Sequence, residues 1–402
     1  MDSIEEQVRV EIINEIDLSY DVSDAEILQL IKNKIMEKSK LVPVSLNQRQ
    51  QIENHVFNSL RKLDVLEDLL ADEEITEIMI NGPDNIFIEK NGQVIHSEEK
   101  FSSEEKLNDI IQSIVANSNK IVNESNPIVD TRLEDGSRVN IVLKPAAVDY
   151  SILSIRKFPK EQMTMERLKG YGSIAGEQIE FLKKLVESGY NIFVSGGTGS
   201  GKTSFLNALG EFIPKDERII TIEDSAELQL KNVDNLVRLE ARNANLEGKN
   251  EISIRDLLKS SLRMRPDRIV VGECRGAEAL EMLQAFNTGH DGSMSTGHSN
   301  SCKDMLSRLE TMVLMGVEIP LPAIRQQIAS GIDIIVQLGR LRDKSRKLLE
   351  IAEVEGIEAG EIKLNTLYKF REIDEKNGRI VGQWEKVGNL IHTEKLEANG
   401  RA

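Results

Sequence analysis

Apolar and polar positions change their period twice along the chain, and each change marks a new kind of element. From residue 1 to about 63 the apolar positions recur at helical spacing among many charges, as in Ile27, Leu28, Leu30, Ile31 and Ile35. Glycine is absent from this stretch and Pro43 is its only proline. The pattern predicts an amphipathic helical extension. Docking on another subunit and a loosely tethered charged helix are both compatible with it.

From about 64 to 157 the period shortens. Ile75–Ile80 and Ile86–Glu89 alternate as short strands around the turn Asn81-Gly82-Pro83-Asp84. Lys90-Asn91-Gly92-Gln93 carries an Asn-Gly hairpin signal ahead of Val94-Ile95-His96. A helix is predicted over 103–118, after the capping pair Ser102/Ser103 with Glu105 nearby. Strands at 138–143 and 151–157 follow the turn Glu134-Asp135-Gly136-Ser137. These elements make a small α+β domain. Residues 158–175, with Pro159, Gly170 and Gly172, read as a linker. Beyond 176, strands (191–195, 218–223, 268–273) alternate with helices (202–212, 253–263, 276–287). Such alternation predicts an α/β domain over 176–402, with a parallel sheet covered by helices on both faces.

The first of those strands leads directly into chemistry. Gly196, Gly197, Thr198, Gly199, Ser200, Gly201, Lys202 and Thr203 fit G-x-x-x-x-G-K-[ST] at every fixed position, with Ser204 opening the helix that follows. Tyr190–Val194 supplies the strand before it, so the motif stands in the strand–loop–helix context it requires. Glycines let several backbone N–H groups face one anion, and the helix N-terminus adds favourable partial charge. Lys202 reaches the β- and γ-phosphates in such a loop, and the Thr203 hydroxyl ligates Mg²⁺. A nucleoside triphosphate is the expected ligand.

Hydrolysis needs carboxylates beside the phosphates. The strand Arg268–Gly272 ends in Glu273, and ligand sites in open α/β sheets lie at the carboxyl ends of strands. Glu273 is thereby placed to hold the Mg²⁺ shell or to orient water. The strand Arg218–Ile222 ends in Glu223, Asp224 and Glu227, carboxylates that repel one another unless a cation or solvent offsets them. Gly289–Asn300 contains His290 and His298 among hydroxyls and glycines, suited to close approach to phosphate. The spacing of His298 and Cys302, with Cys274, leaves a zinc site as a minor alternative. Arg132, Arg138 and Arg156 fall in the small domain, where guanidinium groups can stabilise charge on a γ-phosphate or remain merely solvated.

Composition narrows the partners. Of 402 residues, 51 are basic and 67 acidic, a formal charge of −16, which argues against nucleic acid as the default partner. Two cysteines, Cys274 and Cys302, fit a reducing compartment. The acidic start Met1–Glu6 lacks the basic and apolar regions of a signal peptide, and no apolar run approaches a membrane span. A cytoplasmic protein is expected, touching the membrane only peripherally and through partners.

Taken together, these pieces resemble the motor ATPases of type II secretion, type IV secretion and type IV pili over about residues 66–385. Four boxes in fixed order carry the resemblance: a Walker A loop at Gly196–Thr203, an acidic box at Thr221–Leu228, an atypical Walker B at Ile269–Gly276 and a histidine box at Gly289–Asn300. Ile75–Pro83, Pro127–Asn140, Ser154–Phe158 and Ala323–Gly331 are most similar to the CpaF-like branch, which serves Tad/Flp pilus assembly. The resemblance implies a homo-hexameric ring. ATP would lie between an N-terminal domain and a RecA-like domain, with 158–175 as the hinge. It further implies Arg138 and Arg156 as γ-phosphate arginines, with Arg132 the weaker match. Glu223 and Glu227 would position water, Glu273 would be the Walker B carboxylate, and His298 the sensor. The implied partner is an inner-membrane platform protein. A conjugation-type secretion ATPase shares the boxes, and a nucleic-acid motor or a non-motor NTP-binding regulator are the readings outside that class. Three departures stand out: no tetracysteine zinc module, Ser299 where the family usually has Ala, and no Asp before Glu273.

Overall fold

The computed structural model describes residues 2–15, 22–40, 42–90, 92–118, 120–158, 162–242, 244 and 249–401. Asn91 of the expected hairpin turn, and residues 159–161 of the expected linker, lie outside the described residues. Two compact units divide the chain, Met1–Lys160 and Glu161–Ala402.

The first unit begins with helices α1 (Asp2–Glu15), α2 (Asp24–Lys38) and α3 (Leu46–Arg61). Ser23 with Glu26 and Ser45 with Gln48 form capping boxes at α2 and α3, satisfying N–H groups that the first turn leaves open. Val8, Ile12, Ile27, Ile31, Ile35, Ile52 and Val56 close on one another as a separate apolar core. The extension is thus a packed three-helix element rather than a loose helix, because the apolar stripes of the three helices bury each other. Full burial stabilises by roughly 1.5–3 kcal/mol for each such side chain.

A short helix, α4 (Leu66–Ala71), leads into the strands β1 (Ile75–Ile80), β2 (Ile86–Lys90) and β3 (Gln93–His96). Helix α5 (Glu104–Asn117) starts at Ser103, whose hydroxyl accepts the Lys106 N–H. Then come β4 (Ile128–Arg132), β5 (Arg138–Val142) and β6 (Ile152–Arg156). The six strands form an antiparallel sheet in the order β3-β2-β1-β6-β5-β4. Ile78, Val139, Leu153 and Ile155 pack with Leu107, Ile111 and Ile114 of α5 in its core.

The second unit opens with α6 (Met165–Gly170) and α7 (Gly176–Glu187). Helix α6 falls inside the stretch expected to be linker; Met165, Leu168 and Ile174 are buried in the core, which the Gly and polar content had masked. There follow β7 (Ile192–Gly196), α8 (Lys202–Leu209), β8 (Arg218–Glu223), β9 (Asn235–Glu240) and α9 (Ile254–Ser261). Next are β10 (Arg268–Val271), α10 (Ala279–Phe286), β11 (Met294–Gly297), α11 (Cys302–Gly316) and α12 (Leu321–Gly331). The unit ends with β12 (Ile334–Arg340), β13 (Arg346–Glu358), β14 (Glu361–Lys376), β15 (Arg379–Lys386) and α13 (Glu394–Ala398).

Nine strands form one sheet, ordered β15-β14-β13-β12-β7-β11-β10-β8-β9. From β12 to β9 all neighbours are parallel, as alternation predicts. The remaining three strands pair antiparallel, making the sheet mixed. Central strands are buried on both faces. Ile192 and Val194 join a core with Leu182 of α7 and Leu206 of α8. Phe193 between them joins the opposite core with Leu258, Met282, Met305 and Ile324 of α9 to α12. The period-two alternation of a strand therefore anchors two helical layers at once.

Candidate nucleotide-binding site

Because β7, β8, β10 and β11 run parallel in adjacent register, their carboxyl ends open at one edge of the sheet. The loop after β7 turns through Gly199 (φ 71°) and Gly201 (φ 92°), a left-handed backbone that favours glycine. Gly201 is the N-cap of α8, so the helix begins where the loop ends. Thr198 and Gly199 are exposed, Gly197, Thr203 and Ser204 are half-buried, and Ser200 is buried with its hydroxyl unpartnered among the described residues.

Lys202 is buried and its Nζ lies 3.0 Å from the Gly196 carbonyl, 3.1 Å from that of Gly197 and 3.1 Å from His298 Nδ1. His298 Nε2 in turn stands 2.9 Å from Glu273 Oε1. That is a close polar approach without hydrogen-bond alignment, and Oε1 has no hydrogen-bond partner among the described residues. Glu273 Oε2 accepts a hydrogen bond from Arg275 Nη2 at 2.8 Å. A continuous path thus runs Lys202–His298–Glu273–Arg275 across three strand ends. As Lys202 carries only donors, its contact requires an acceptor at Nδ1 and leaves the His298 proton on Nε2, facing Glu273.

Electrostatics follow from this path. Burial pushes the Glu273 carboxyl up, but Arg275, His298 and Lys202 together outweigh it and hold it below the usual carboxylate range. Burial lowers the Lys202 ammonium, against the pull of Glu273. Burial also lowers the His298 imidazole, with Glu273 opposing and Lys202 assisting. The hydrogen bond to Glu273 raises the Arg275 guanidinium, aided by the charges of Asp224 and Glu227.

Glu223 ends β8 in a different setting. It is 3% exposed, and burial pushes its carboxyl up to about 7 even though Oε2 accepts the N–H groups of Glu227 (2.7 Å) and Leu228 (2.9 Å). Its Oε1 has no partner among the described residues. Glu223 therefore shapes the acidic turn that carries Glu227. Gly272 makes room for it: a Cβ there would lie 2.8 Å from Glu223 Cγ. Gly272 is also pinned by its N–H to Ile222 O and by the Thr296 hydroxyl on its carbonyl, both at 2.8 Å.

The expected site residues separate into groups. Gly196–Ser204, Glu223, Glu227, Glu273 and His298 share the sheet edge. His290 does not: it precedes β11, where Nδ1 lies 3.0 Å from the Ala285 carbonyl, because the four-residue strand carries the chain to the opposite edge before His298. Cys274 and Cys302 are buried in the apolar core, and among the described residues no group of three or more His, Cys, Asp or Glu is arranged to hold a metal. Among those residues the zinc alternative has no ligand set.

Arg132, Arg138 and Arg156 belong to the first unit. Arg132 lies opposite Arg138, and Arg138 opposite Arg156, so they form one row across β4, β5 and β6. Directly opposed residues share a face, and the neighbours Val139 and Ile155 point to the core, so the row is on the other face. Arg156 continues to Glu77 of β1, 3.9 Å away.

Two contributors were not among the expected site residues. Arg275 had only its closeness to Glu273 as a signal. Arg346 donates from Nε to the Gly199 carbonyl at 2.8 Å across 147 positions of sequence, a contact that no local pattern announces.

Such a loop at the head of a mixed, mostly parallel sheet defines a P-loop nucleotide-binding protein of the RecA-like α/β class. Residues 59–388 match the family described as Type II/IV secretion system protein, and the chain belongs to that family. A putative conjugal transfer protein of Mycobacterium tuberculosis is 33% identical over 294 residues, 72% of this chain and 83% of that protein. The type IV secretion system protein PtlH of Bordetella pertussis is 31% identical over 324 residues, 74% of this chain and 95% of its own length. The solved pilus retraction motor PilT with bound ADP has the same fold, with a TM-score of 0.54 at 19% identity over 84% of this chain and 86% of that one.

Proposed function

We propose that this protein hydrolyses ATP as a hexameric motor that powers Tad/Flp-type pilus assembly or protein secretion across the cytoplasmic membrane. The observation that carries the reading is the path from Lys202 through His298 to Glu273. It joins a phosphate-binding cation to an ionised carboxylate at the sheet edge. Backbone N–H groups of residues 199–203 and the α8 N-terminus bind the β- and γ-phosphates. Lys202 exchanges its loop carbonyls for phosphate oxygens. Glu273, kept ionised by its neighbours, orients the attacking water and draws its proton. His298, bridging Lys202 and Glu273, reports whether the lysine is engaged.

Mg²⁺ fits the residues present, since Thr203 and Glu273 offer oxygen donors and such ions are held by one or two protein ligands plus phosphates and water. When bound it neutralises charge on the β- and γ-oxygens. The unpartnered buried Glu223 Oε1 provides a further acceptor or, near neutral pH, a proton, and Glu227 extends the same turn. Arg138 and Arg156, with Arg132, supply cations for the γ-phosphate from one row across β4, β5 and β6.

The working partner is an inner-membrane platform protein, reached peripherally from the cytoplasm, with no nucleic acid involved. No helix among the described residues is long and apolar enough to cross a membrane. A conjugation-type secretion ATPase is the second reading, favoured by the names of the similar proteins from Mycobacterium tuberculosis and Bordetella pertussis. The deciding measurement is ATPase rate per subunit against protein concentration, with Mg²⁺ and without nucleic acid. A rate that climbs and saturates supports a ring. A flat rate, with a monomeric mass throughout the range, rules the motor reading out.

A further inference from the structure

The antiparallel extension β13–β15 has no part in the four boxes, yet it touches the phosphate loop. Arg346 opens β13, directly after the turn closed by Leu341 N–H to Ser345 O (2.8 Å) and Lys344 N–H to Leu341 O (2.9 Å). Strand β12 brings this turn alongside β7, with Leu338 opposite Gly196. Arg346 is exposed, and its Nε donates to the Gly199 carbonyl at 2.8 Å. Its Cδ lies 3.4 Å from where a Cβ on Gly201 would stand, so the stem spans both glycines that shape the loop. The two terminal nitrogens of the guanidinium make no hydrogen bond or ion pair among the described residues.

The turn itself is braced from the far side. Arg342 donates to both carboxylate oxygens of Glu372 and to Glu375 Oε2 at 3.1 Å, and Asp343 accepts the Ile380 N–H at 2.8 Å. Arg346 is thus presented on a backbone stapled to the β14–β15 hairpin rather than on a free loop.

We propose that Arg346 is a positioning residue of the nucleotide site. It holds the Gly199 turn of the phosphate loop through Nε and sets a permanent cation beside a bound nucleoside di- or triphosphate. Arginine suits both tasks because its fork donates in two directions while its charge stays on at any physiological pH. This inference rests on the nucleotide reading of the same site.

The test is titration of the full-length protein with a ribose-labelled fluorescent ADP and Mg²⁺, with Lys202→Ala as the control and unfolding without nucleotide monitored in parallel. Arg346→Ala should raise Kd about 10-fold, the cost of one charged hydrogen bond. It should raise KM for ATP in step, with kcat changed less than about twofold, a split that a general loss of folding does not produce. Arg346→Gln keeps a neutral donor and should fall between; it also serves if the alanine variant melts early. Wild-type affinity in either folded variant overturns the proposal while the control still loses binding. Failure of the wild-type protein to bind the probe sinks the nucleotide reading itself, and this proposal with it.

Discussion

The sheet edge of the second unit and the arginine row of the first assemble charge in contrasting ways. At the edge, Lys202, Glu273 and His298 come from three different strand ends, and each sits in contact with a residue of opposite or complementary character. In the row, Arg132, Arg138 and Arg156 come from consecutive strands and stand side by side with the same sign. The edge mixes both signs; the row lines up three cations on the face away from its core, with Glu77 3.9 Å from Arg156. Contacts between neighbouring strand ends fix each group at the edge, whereas strand register alone lines up the row.

That contrast can be broken by substitution, beginning with the largest expected effect. Lys202→Ala removes the cation for the β- and γ-phosphates and should weaken nucleotide binding by about 100-fold or more, with turnover lost. Isothermal titration with ADP and Mg²⁺ checks it; retained affinity would mean that the loop is not the phosphate site. Glu273→Gln should hold affinity within a few-fold while slowing turnover by about 10³. Phosphate release under saturating ATP reads this, and full activity would shift the water-orienting role to Glu223 or Glu227. For the row, Arg138→Ala and Arg156→Ala should each cut turnover by at least about 10² with nucleotide still bound, and Arg132→Ala by less. If all three leave turnover intact, the row does not meet the γ-phosphate.

Smaller effects sharpen the edge itself. Gly272→Ala puts a Cβ 2.8 Å from Glu223 Cγ. The displaced carboxylate should lower stability by about 1–3 kcal/mol and turnover several-fold, measured by denaturant unfolding and phosphate release. The Glu223 carboxyl, raised to about 7 from an ordinary 4.5, keeps a proton that the unfolded chain has released. Its contribution is therefore fully present below about 4.5 and is lost as pH rises through about 7. The loss is on the order of 1–3 kcal/mol. Glu223→Gln, which cannot ionise, should flatten that part of the stability–pH curve without nucleotide; parallel curves for both proteins would remove Glu223 as the cause.

How much of this was legible in advance differs between the regions for a physical reason. The glycine-rich loop was readable as a motif, since its eight residues are contiguous and need only a strand before and a helix after. Glu223 and Glu273 were readable because a carboxylate ending an apolar strand is placed by strand direction alone. The arginines could be picked out by resemblance, but their alignment depends on antiparallel register, which pairs residue 132 with 138 and 138 with 156 only once β4, β5 and β6 fold together. His290 and His298 look alike in sequence and part ways because a strand separates them. Helix α6 was obscured by neighbouring glycines, and β13–β15 carry too many charges at alternating positions to stand out as sheet.

By itself, then, the sequence determined what acts locally: the glycine-rich anion loop, the alternation that builds a parallel sheet, and the acids at strand ends. Only the tertiary structure decided which side chains share one field. Lys202 meets His298 and His298 meets Glu273 because adjacent parallel strands end together. Arg346 meets Gly199 because β12 carries the chain back beside β7 before it turns. Electrostatics and hydrogen bonds act over a few ångströms of space, and distance along the chain does not limit them once the sheet has closed.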